Sequence, residues 1–337
     1  MIHTAVVILN WNGRKHLEQF LPSVVEHTPQ SVDIVVADNG STDDSVEFLR
    51  REYPNIKLVL LDRNYGFADG YNRALKQVDA ECFVLLNSDI EVTEGWLEPL
   101  VATLQNNSQV AAVAPKLLSY VERENFEYAG AAGGFIDYLG YPFCRGRILS
   151  TIEQDKGQYD SPCEVFWASG AAFCCKADVF RALGGFDVDF FAHMEEIDLC
   201  WRMQLQGYKV MVEPRSVVYH LGGGTLPNES PRKLYLNYRN NLAMLYKCAP
   251  TMQRIVVAVV RPLADLLSVA LYLLKRQTNL AAATLKAYRD FFAWHSALAE
   301  KRRAIRSSCR LESNKIYKGS MVVRYMLGAK RFSQMIK

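Results

Sequence analysis

The sequence predicts an α/β protein with a mostly parallel central sheet, flanking helices and a basic helical segment at its C-terminal end. Three observations predict it. Over the first 115 residues short apolar or β-branched runs alternate with amphipathic stretches, and such alternation implies right-handed crossovers and a parallel sheet. Asn10, Asp38 and Asp89 fall where those runs end, and parallel sheets bind ligands beyond the carboxyl ends of their strands. Finally, residues 1–230 hold 18 Lys+Arg against 32 Asp+Glu, whereas residues 231–337 hold 21 against 4. The overall charge of +3 hides this split, which gives the two parts different neighbours.

The runs TAVVIL, VDIVVA, IKLVLL, CFVLL and VAAVAP have the length and composition of strands buried on both faces. Helices are expected between them over 14–27, 41–51, 69–78 and 93–106. Residues 120–165 lose the rhythm and become rich in Gly, Tyr and Phe, which reads as a loop or hairpin region that shapes a pocket. Order returns with a strand at VFWASGAAFCC, a short helix over 176–183, a GGFD turn and a helix over 194–206 that Gly207 ends. A last strand, YKVMVEP, leads to His220.

Beyond 232 the stretch 255–274 is long enough to span a bilayer, but Arg261, Pro262 and Asp265 in its middle argue against a simple span. With Lys275-Arg276 and the KRR at 301–303, the pattern favours helices lying in a membrane interface over a re-entrant span or a buried helical subdomain. Anionic lipid is the expected neighbour of this basic part, rather than nucleic acid. The eight cysteines contain no CxxC pair, and Cys82, Cys174 and Cys175 lie in apolar runs, which suits reduced, buried thiols and a cytosolic setting. The chain enters a strand almost at once, with no basic-then-apolar leader, so export is not expected.

Chemistry is expected at the strand ends. Asp38 can accept hydrogen bonds from a base or ribose, although Asp38-Asn39-Gly40 also makes an ordinary turn with Ser41 or Thr42 as a helix cap. In Asn87-Ser88-Asp89, Asp89 can ligate a hard cation, because Mg²⁺ or Mn²⁺ needs only one or two carboxylates plus substrate phosphates. The plain alternative is a turn. Between these lies RNYGFADGYNRAL, where Gly66 and Gly70 permit close backbone approach and Asn72 and Arg73 can reach phosphate oxygens. Glu195 and Glu196 start a helix, where its positive end favours acids, and adjacent acids there supply a general base. Asp198 and Arg202, four residues apart, read as an ion pair. His220 ends a strand beside a glycine-rich loop and is either a structural histidine or a metal or diphosphate contact.

In order, VVILNWNG, VVADNGSTDDS, NYGFADGYNRAL, LLNSDIEV, WASGAAFCCKADVF, GGFDVDFFAHMEEIDLCWR and VVYHLGGGT resemble the inverting family 2 glycosyltransferases of the GT-A fold. The resemblance covers residues 3–225 and is nearest to the rhamnosyltransferase-like branch of cell-surface polysaccharide assembly. It implies a GT-A domain over 1–231, with a nucleotide-binding half (1–115) and an acceptor and catalytic half (116–231), and a membrane-associating region over 232–337. It implies that Asn10 and Asp38 belong to a uridine- or thymidine-diphosphate pocket, together with Gly66, Asn72, Arg73, Asn87 and Ser88. Asp89 matches the metal acid of the Asp-x-Asp motif, and His220 is a further metal or diphosphate contact. Glu196 matches the catalytic base and Glu195 the acid before it, while Trp167 and Gly170 line the sugar and acceptor side.

Two positions depart from the family pattern: Asn87 replaces the first acid of Asp-x-Asp, and Glu196 replaces the commoner Asp. The Gln-x-x-Arg-Trp signature of processive synthases is absent, which favours transfer of one sugar per binding event. The expected partners are a nucleotide-diphospho-sugar, a saccharide or polyprenyl-diphosphate-linked acceptor, and an anionic inner membrane face, with Mn²⁺ or Mg²⁺ as cofactor. Two rivals stand beside this reading. A sugar nucleotidyltransferase normally shows a glycine-rich first loop, but here that loop is NWNGRK. A scaffold protein that kept the fold and lost catalysis is supported by Asn87 and opposed by Glu195 and Glu196.

Overall fold

A computed structural model describes residues 2–222 and 230–336, so residues 223–225 of the predicted VVYHLGGGT segment lie outside the described residues. The first half runs β1 (Thr4–Asn10), α1 (Arg14–His27), β2 (Asp33–Asn39), α2 (Ser45–Glu52), β3 (Lys57–Leu61), α3 (Gly66–Leu75), β4 (Cys82–Asn87), β5 (Ile90–Val92), α4 (Leu97–Asn106) and β6 (Val110–Ser119). β1 lies between β2 and β4, parallel to both, and β3 extends the same parallel ladder beyond β2. The apolar runs of β1, β2 and β4 are buried because helices cover the sheet; on α1 the inward stripe is Leu17, Phe20, Leu21 and Val24. β3, expected from its composition to be buried on both faces, lies at the sheet edge, buries only Val59 and leaves Leu60 exposed.

Three helices start elsewhere than the sequence suggests, each for a local reason. α2 begins at Ser45 rather than 41, because the preceding backbone is held in side-chain turns: Ser41 N–H donates to Asp38 Oδ2 (2.9 Å) and Thr42 N–H to Asn12 Oδ1 (2.7 Å). α4 begins at Leu97 rather than 93, since Gly95 interrupts it at φ +68°. α3 begins three residues early, at Gly66, where the loop before it is tied down by Asn39.

The second half contains β7 (Gly134–Asp137), β8 (Pro142–Cys144), β9 (Arg147–Ile148), β10 (Thr151–Ile152), β11 (Cys163–Val165), β12 (Ala172–Lys176), α5 (Ala177–Ala182), α6 (Glu195–Leu205) and β13 (Lys209–His220). The predicted strand VFWASGAAFCC is two strands, β11 and β12, with an irregular turn at 166–171 between them. β12 inserts antiparallel between β4 and β6, so β6 reaches the parallel ladder only through it, and β6 itself lies parallel to β13. The sheet order is therefore β11-β13-β6-β12-β4-β1-β2-β3, with β5 on β13. This mixed sheet with helices on it is the predicted α/β class, and it places the ends of β1, β2, β4 and β13 near one another.

The expected hairpin region forms a second small sheet, β10-β9-β8-β7. Asp137 organises the turn from β7 to β8: Oδ1 accepts the Leu139 (3.0 Å) and Tyr141 (2.8 Å) N–H groups, and Oδ2 accepts that of Met321 (2.9 Å).

The C-terminal part comprises α7 (Pro231–Cys248), α8 (Thr251–Leu274), α9 (Thr278–Ala293), α10 (His295–Ser307), β14 (Ile316–Tyr317) and α11 (Met321–Met326). β14 pairs parallel with β7, and α7 packs against α6. Lys247 of α7 is buried between Asp187 and Asp198 of the preceding part, 2.8 Å from the latter. α8 is long and apolar enough to cross a membrane by length and composition. Its polar residues face the protein: Arg261 Nη1 donates to Leu139 O (2.7 Å) and Asn241 Oδ1 (2.8 Å), and Asp265 accepts from Tyr141 (3.0 Å) and Tyr288 (2.6 Å). Its leucines and most of its valines face outward, with Leu263 66% and Leu274 80% exposed, while Val257 and Val269 are buried.

Candidate active site

Register places the first pair of predicted residues together, since Asn10 lies opposite Asp38 where β1 and β2 end. Asn10 Nδ2 donates to Asp38 Oδ1 (3.0 Å) and to Ser41 Oγ (3.2 Å). Asp38 is buried and spends Oδ2 on the Ser41 N–H, so it both holds its own turn and orients Asn10. Asn10 Oδ1 is buried without a partner and is available to a ligand's donor.

The second pair forms where β5 meets the end of β13, with His220 opposite Ile90. His220 Nε2 lies 3.2 Å from Asp89 Oδ1, and its Nδ1 lies 3.3 Å from Glu127 Oε1 without hydrogen-bond geometry. Burial alone would lower the imidazole's pKa, but the carboxylates of Glu127 and Asp89 on its two sides hold it up at about 10. Burial pushes the Asp89 carboxyl upward, and the hydrogen bond and charge of His220 more than reverse that, so it stays below the usual range. Glu127 carried no signal in the sequence. It is one of three glutamates, with Glu122 and Glu124, in an aperiodic stretch, and only the fold singles it out by bringing it to His220.

Glu195 and Glu196 form the first turn of α6, after Met194 at φ +73°. Each has a carboxylate oxygen, Oε2, that is buried without a hydrogen-bond partner. Burial raises the Glu196 carboxyl to about 7, and burial plus the neighbouring Glu196 and Asp198 raise Glu195 well above its usual value. Gly170 lies over Glu196; a Cβ there would sit 3.7 Å from Glu196 Cδ and 3.6 Å from Phe67 Cζ, filling the gap between them. The next residue, Ala171, accepts the Asn87 N–H (2.9 Å), and Ser169 donates to Ala129 O (2.5 Å) in the turn that carries Glu127. Glu196, Gly170, Asp89, His220 and Glu127 are thus joined through one short stretch of chain.

The remaining predicted residues have defined places. Ser88 Oγ lies beside Gly13, under the Asn10 side chain. Gly66, at φ +77°, lies against Phe191, and its carbonyl accepts from Asn39 Nδ2 (2.9 Å). Trp167 is buried beneath Gly134 and donates to Phe135 O (3.0 Å). Asn72 spends both ends of its amide on the backbone of Phe186, at 2.9 Å each. Arg73 pairs with Asp69 (2.7 Å) and stacks on Tyr65 (3.7 Å to the ring centre). These two side chains turn to other partners rather than toward Asp89. Asp198 and Arg202 form the expected ion pair at 2.8 Å, but it is buried rather than at the surface.

Among the described residues no three His, Cys, Asp or Glu side chains converge as a metal cage. Asp89 and His220 nevertheless present one oxygen and one nitrogen 3.2 Å apart, a donor pair that suits neighbouring positions on a divalent ion once that ion displaces the Nε2 proton His220 shares with Asp89. An ion that takes its other ligands from substrate phosphates needs no closed cage, so this pair fits an open Mn²⁺ or Mg²⁺ site.

The family model described as glycosyl transferase family 2 matches residues 5–170. The chain is 27% identical over 233 residues to an N-acetylglucosaminyl-diphospho-decaprenol L-rhamnosyltransferase of Mycobacterium tuberculosis, covering 64% of this chain and 75% of that protein. In fold it is similar to GalNAc-T7 solved with UDP, GalNAc and Mn²⁺, with a TM-score of 0.57 and 18% identity. That match covers 73% of this chain but only 48% of the other. It is also similar to a mannosyltransferase of Pyrobaculum calidifontis in complex with GDP-Man and Mn²⁺, with a TM-score of 0.53, 16% identity and coverage of 86% and 87%. The architecture is the GT-A fold.

Proposed function

We propose that this chain, whose residues 5–170 match the glycosyl transferase family 2 model, transfers one sugar from a uridine- or thymidine-diphospho-sugar to a saccharide or polyprenyl-diphosphate-linked acceptor, with inversion. The observation that carries this reading is Glu196: a carboxylate at a helix start with one buried, unpartnered oxygen and a pKa near 7, beside the gap at Gly170. A base with that acidity is mostly ionised at slightly alkaline pH yet strong enough to take an alcohol proton as it is lost. Glu196 removes the proton from the acceptor hydroxyl as its oxygen bonds to the anomeric carbon from the face opposite the leaving group. The bond from that carbon to the phosphate oxygen breaks, and its electron pair leaves with the nucleoside diphosphate. Burial and the acidic neighbours Glu196 and Asp198 push the Glu195 carboxyl upward, which disfavours a second negative charge beside Glu196.

Asp89 and His220 would hold the divalent ion, which when bound neutralises charge on the diphosphate. Asn10 and Asp38 orient the nucleoside end, and Asn10 Oδ1 is left without a protein partner there. Asn87 and Ser88 lie beside Asp89 and Gly13 on the path between the two. In the Glu196→Gln variant, transfer should fall at least about 1,000-fold while nucleotide binding, read by thermal shift with UDP and dTDP, stays within about twofold. Transfer at wild-type rate in that variant removes Glu196 from the role.

The basic C-terminal part supports an enzyme working at an anionic membrane face. Its surplus of 21 Lys+Arg over 4 Asp+Glu complements such a surface, and α8 turns its apolar side outward. We read α8 as lying along the lipid interface, with the lipid-linked acceptor reached from there.

A further inference from the structure

The segment before α6 has an unusual backbone. Phe191, His193 and Met194 all have positive φ, at +64°, +71° and +73°, a region that residues with a Cβ rarely adopt. Surrounding structure must over-determine such a loop. Its most complete clamp comes from α7. Asn240, fully buried, directs Nδ2 at the carbonyls of Phe190 (3.0 Å), Ala192 (2.9 Å) and His193 (2.8 Å). The amide cannot be turned over, because Oδ1 accepts from Nε (3.0 Å) and Nη2 (2.9 Å) of Arg239. Arg239 Nη2 also reaches the carbonyls of Asp189 (3.0 Å) and Phe190 (3.2 Å).

The same loop touches both sides of the candidate site. Phe191 O accepts the N–H groups of Phe67 (2.7 Å) and Ala68 (3.1 Å), which open α3, and Met194 O accepts the Asp198 N–H (2.9 Å), the first bond of α6. Gly66 packs against Phe191 so closely that a Cβ would collide with it. Whatever fixes residues 190–194 therefore fixes where Glu195 and Glu196 start and how they stand against the glycine loop of α3.

We propose that Asn240 is a positioning residue for the base: it holds the left-handed turn that launches Glu196 toward the gap at Gly170. The proposal rests on the reading of Glu196 as base, extends it to a residue outside the segment the family model matches, and concerns placement only. Asn240 is fully buried with its amide spent on protein groups, so its role is one of placement and not of substrate contact. A base displaced by about 1 Å loses rate, and binding made elsewhere is untouched, so the loss falls on kcat and not on the donor KM.

The test compares Asn240→Ala, Asn240→Ser and Gln253→Ala in the full chain, with wild type and Glu196→Gln assayed alongside. Gln253, also buried, donates to Tyr138 O (2.8 Å) from α8 and controls for the loss of a buried hydrogen bond. Asn240→Ala should lower kcat about 100-fold with the donor KM within about twofold. Asn240→Ser, which keeps one donor and serves if the alanine variant does not fold, should lie between it and wild type. Gln253→Ala should lower the melting temperature comparably and keep kcat within about twofold. The proposal is overturned if the Asn240 variants keep wild-type kcat, if the loss appears in the donor KM, or if Gln253→Ala loses kcat as much. Loss of activity in Asn240→Ala while Glu196→Gln stays active would sink the base assignment instead, so the two failures are distinguishable.

Discussion

At the scale of single residues, Glu196 is chemically costly as well as useful. A carboxyl held at about 7 in the folded chain, against about 4.5 when exposed, binds a proton more tightly folded than unfolded. Its stabilising effect is therefore full below pH 4.5 and is lost as pH rises to 7, where ionisation of a poorly solvated group opposes folding by about 1–3 kcal/mol. Glu196→Gln should accordingly melt above wild type at pH 8, by a few degrees, and the gap should close toward pH 4.5. Equal melting temperatures at both pH values would show that the carboxyl is not held in this way. The strand-end residues Asn10, Asp38, Asp89 and His220 were legible in the sequence, because each follows an apolar run that had to be a strand. Glu127 and Asn240 were not. Glu127 sits in an aperiodic stretch and meets His220 only through the sheet, and Asn240 acts on a loop whose left-handed backbone has no compositional mark, since Phe191, His193 and Met194 stand where glycine is the usual choice.

At the scale of elements, runs with a clear period were read well and their boundaries less so. β1, β2, β4 and α1 follow from alternation and an inward stripe, whereas the starts of α2 and α4 are set by side-chain turns and by Gly95. The insertion of β12 beside β4 is invisible to periodicity, since an antiparallel buried strand looks like a parallel one. α8 shows most clearly how composition misleads about facing. Arg261 and Asp265 weaken its claim to be a span, yet both are buried against Leu139, Asn241, Tyr141 and Tyr288, and the outward side is the apolar one. Leu263 and Leu267 are 66% and 62% exposed, so replacing both with Glu should leave the melting temperature within about 2 °C. The same change places two charges where lipid is expected and should weaken binding to vesicles containing anionic lipid by at least about tenfold. Unchanged vesicle binding would mean that α8 does not lie on the membrane.

At the scale of the whole molecule, the charge split near residue 231 is not a seam in the packing. The acidic part supplies Asp187 and Asp198, and the basic part inserts Lys247 between them with almost no exposure; burial lowers the ammonium's pKa, and the two carboxylates more than restore it. β14 adds to β7, and the Met321 N–H satisfies Asp137, whose carboxyl burial holds up at about 6. Buried charge that spans a boundary ties the two sides together, because removing one partner strands the other in a poorly solvated place at a cost of about 3–5 kcal/mol. Lys247→Met keeps the volume and removes only the charge, leaving Asp187 with Lys301 and Asp198 with Arg202. It should therefore lower stability toward urea by about 3 kcal/mol, with a single transition reported alike by tryptophan fluorescence and by circular dichroism. Trp11, Trp96, Trp167 and Trp201 lie before the boundary and Trp294 alone lies after it, whereas most of the helical residues lie after it, so the two signals weight the two parts differently. If the variant instead unfolds in two steps, with ellipticity lost before fluorescence changes, the basic helices are an appendage that merely rests on the acidic part.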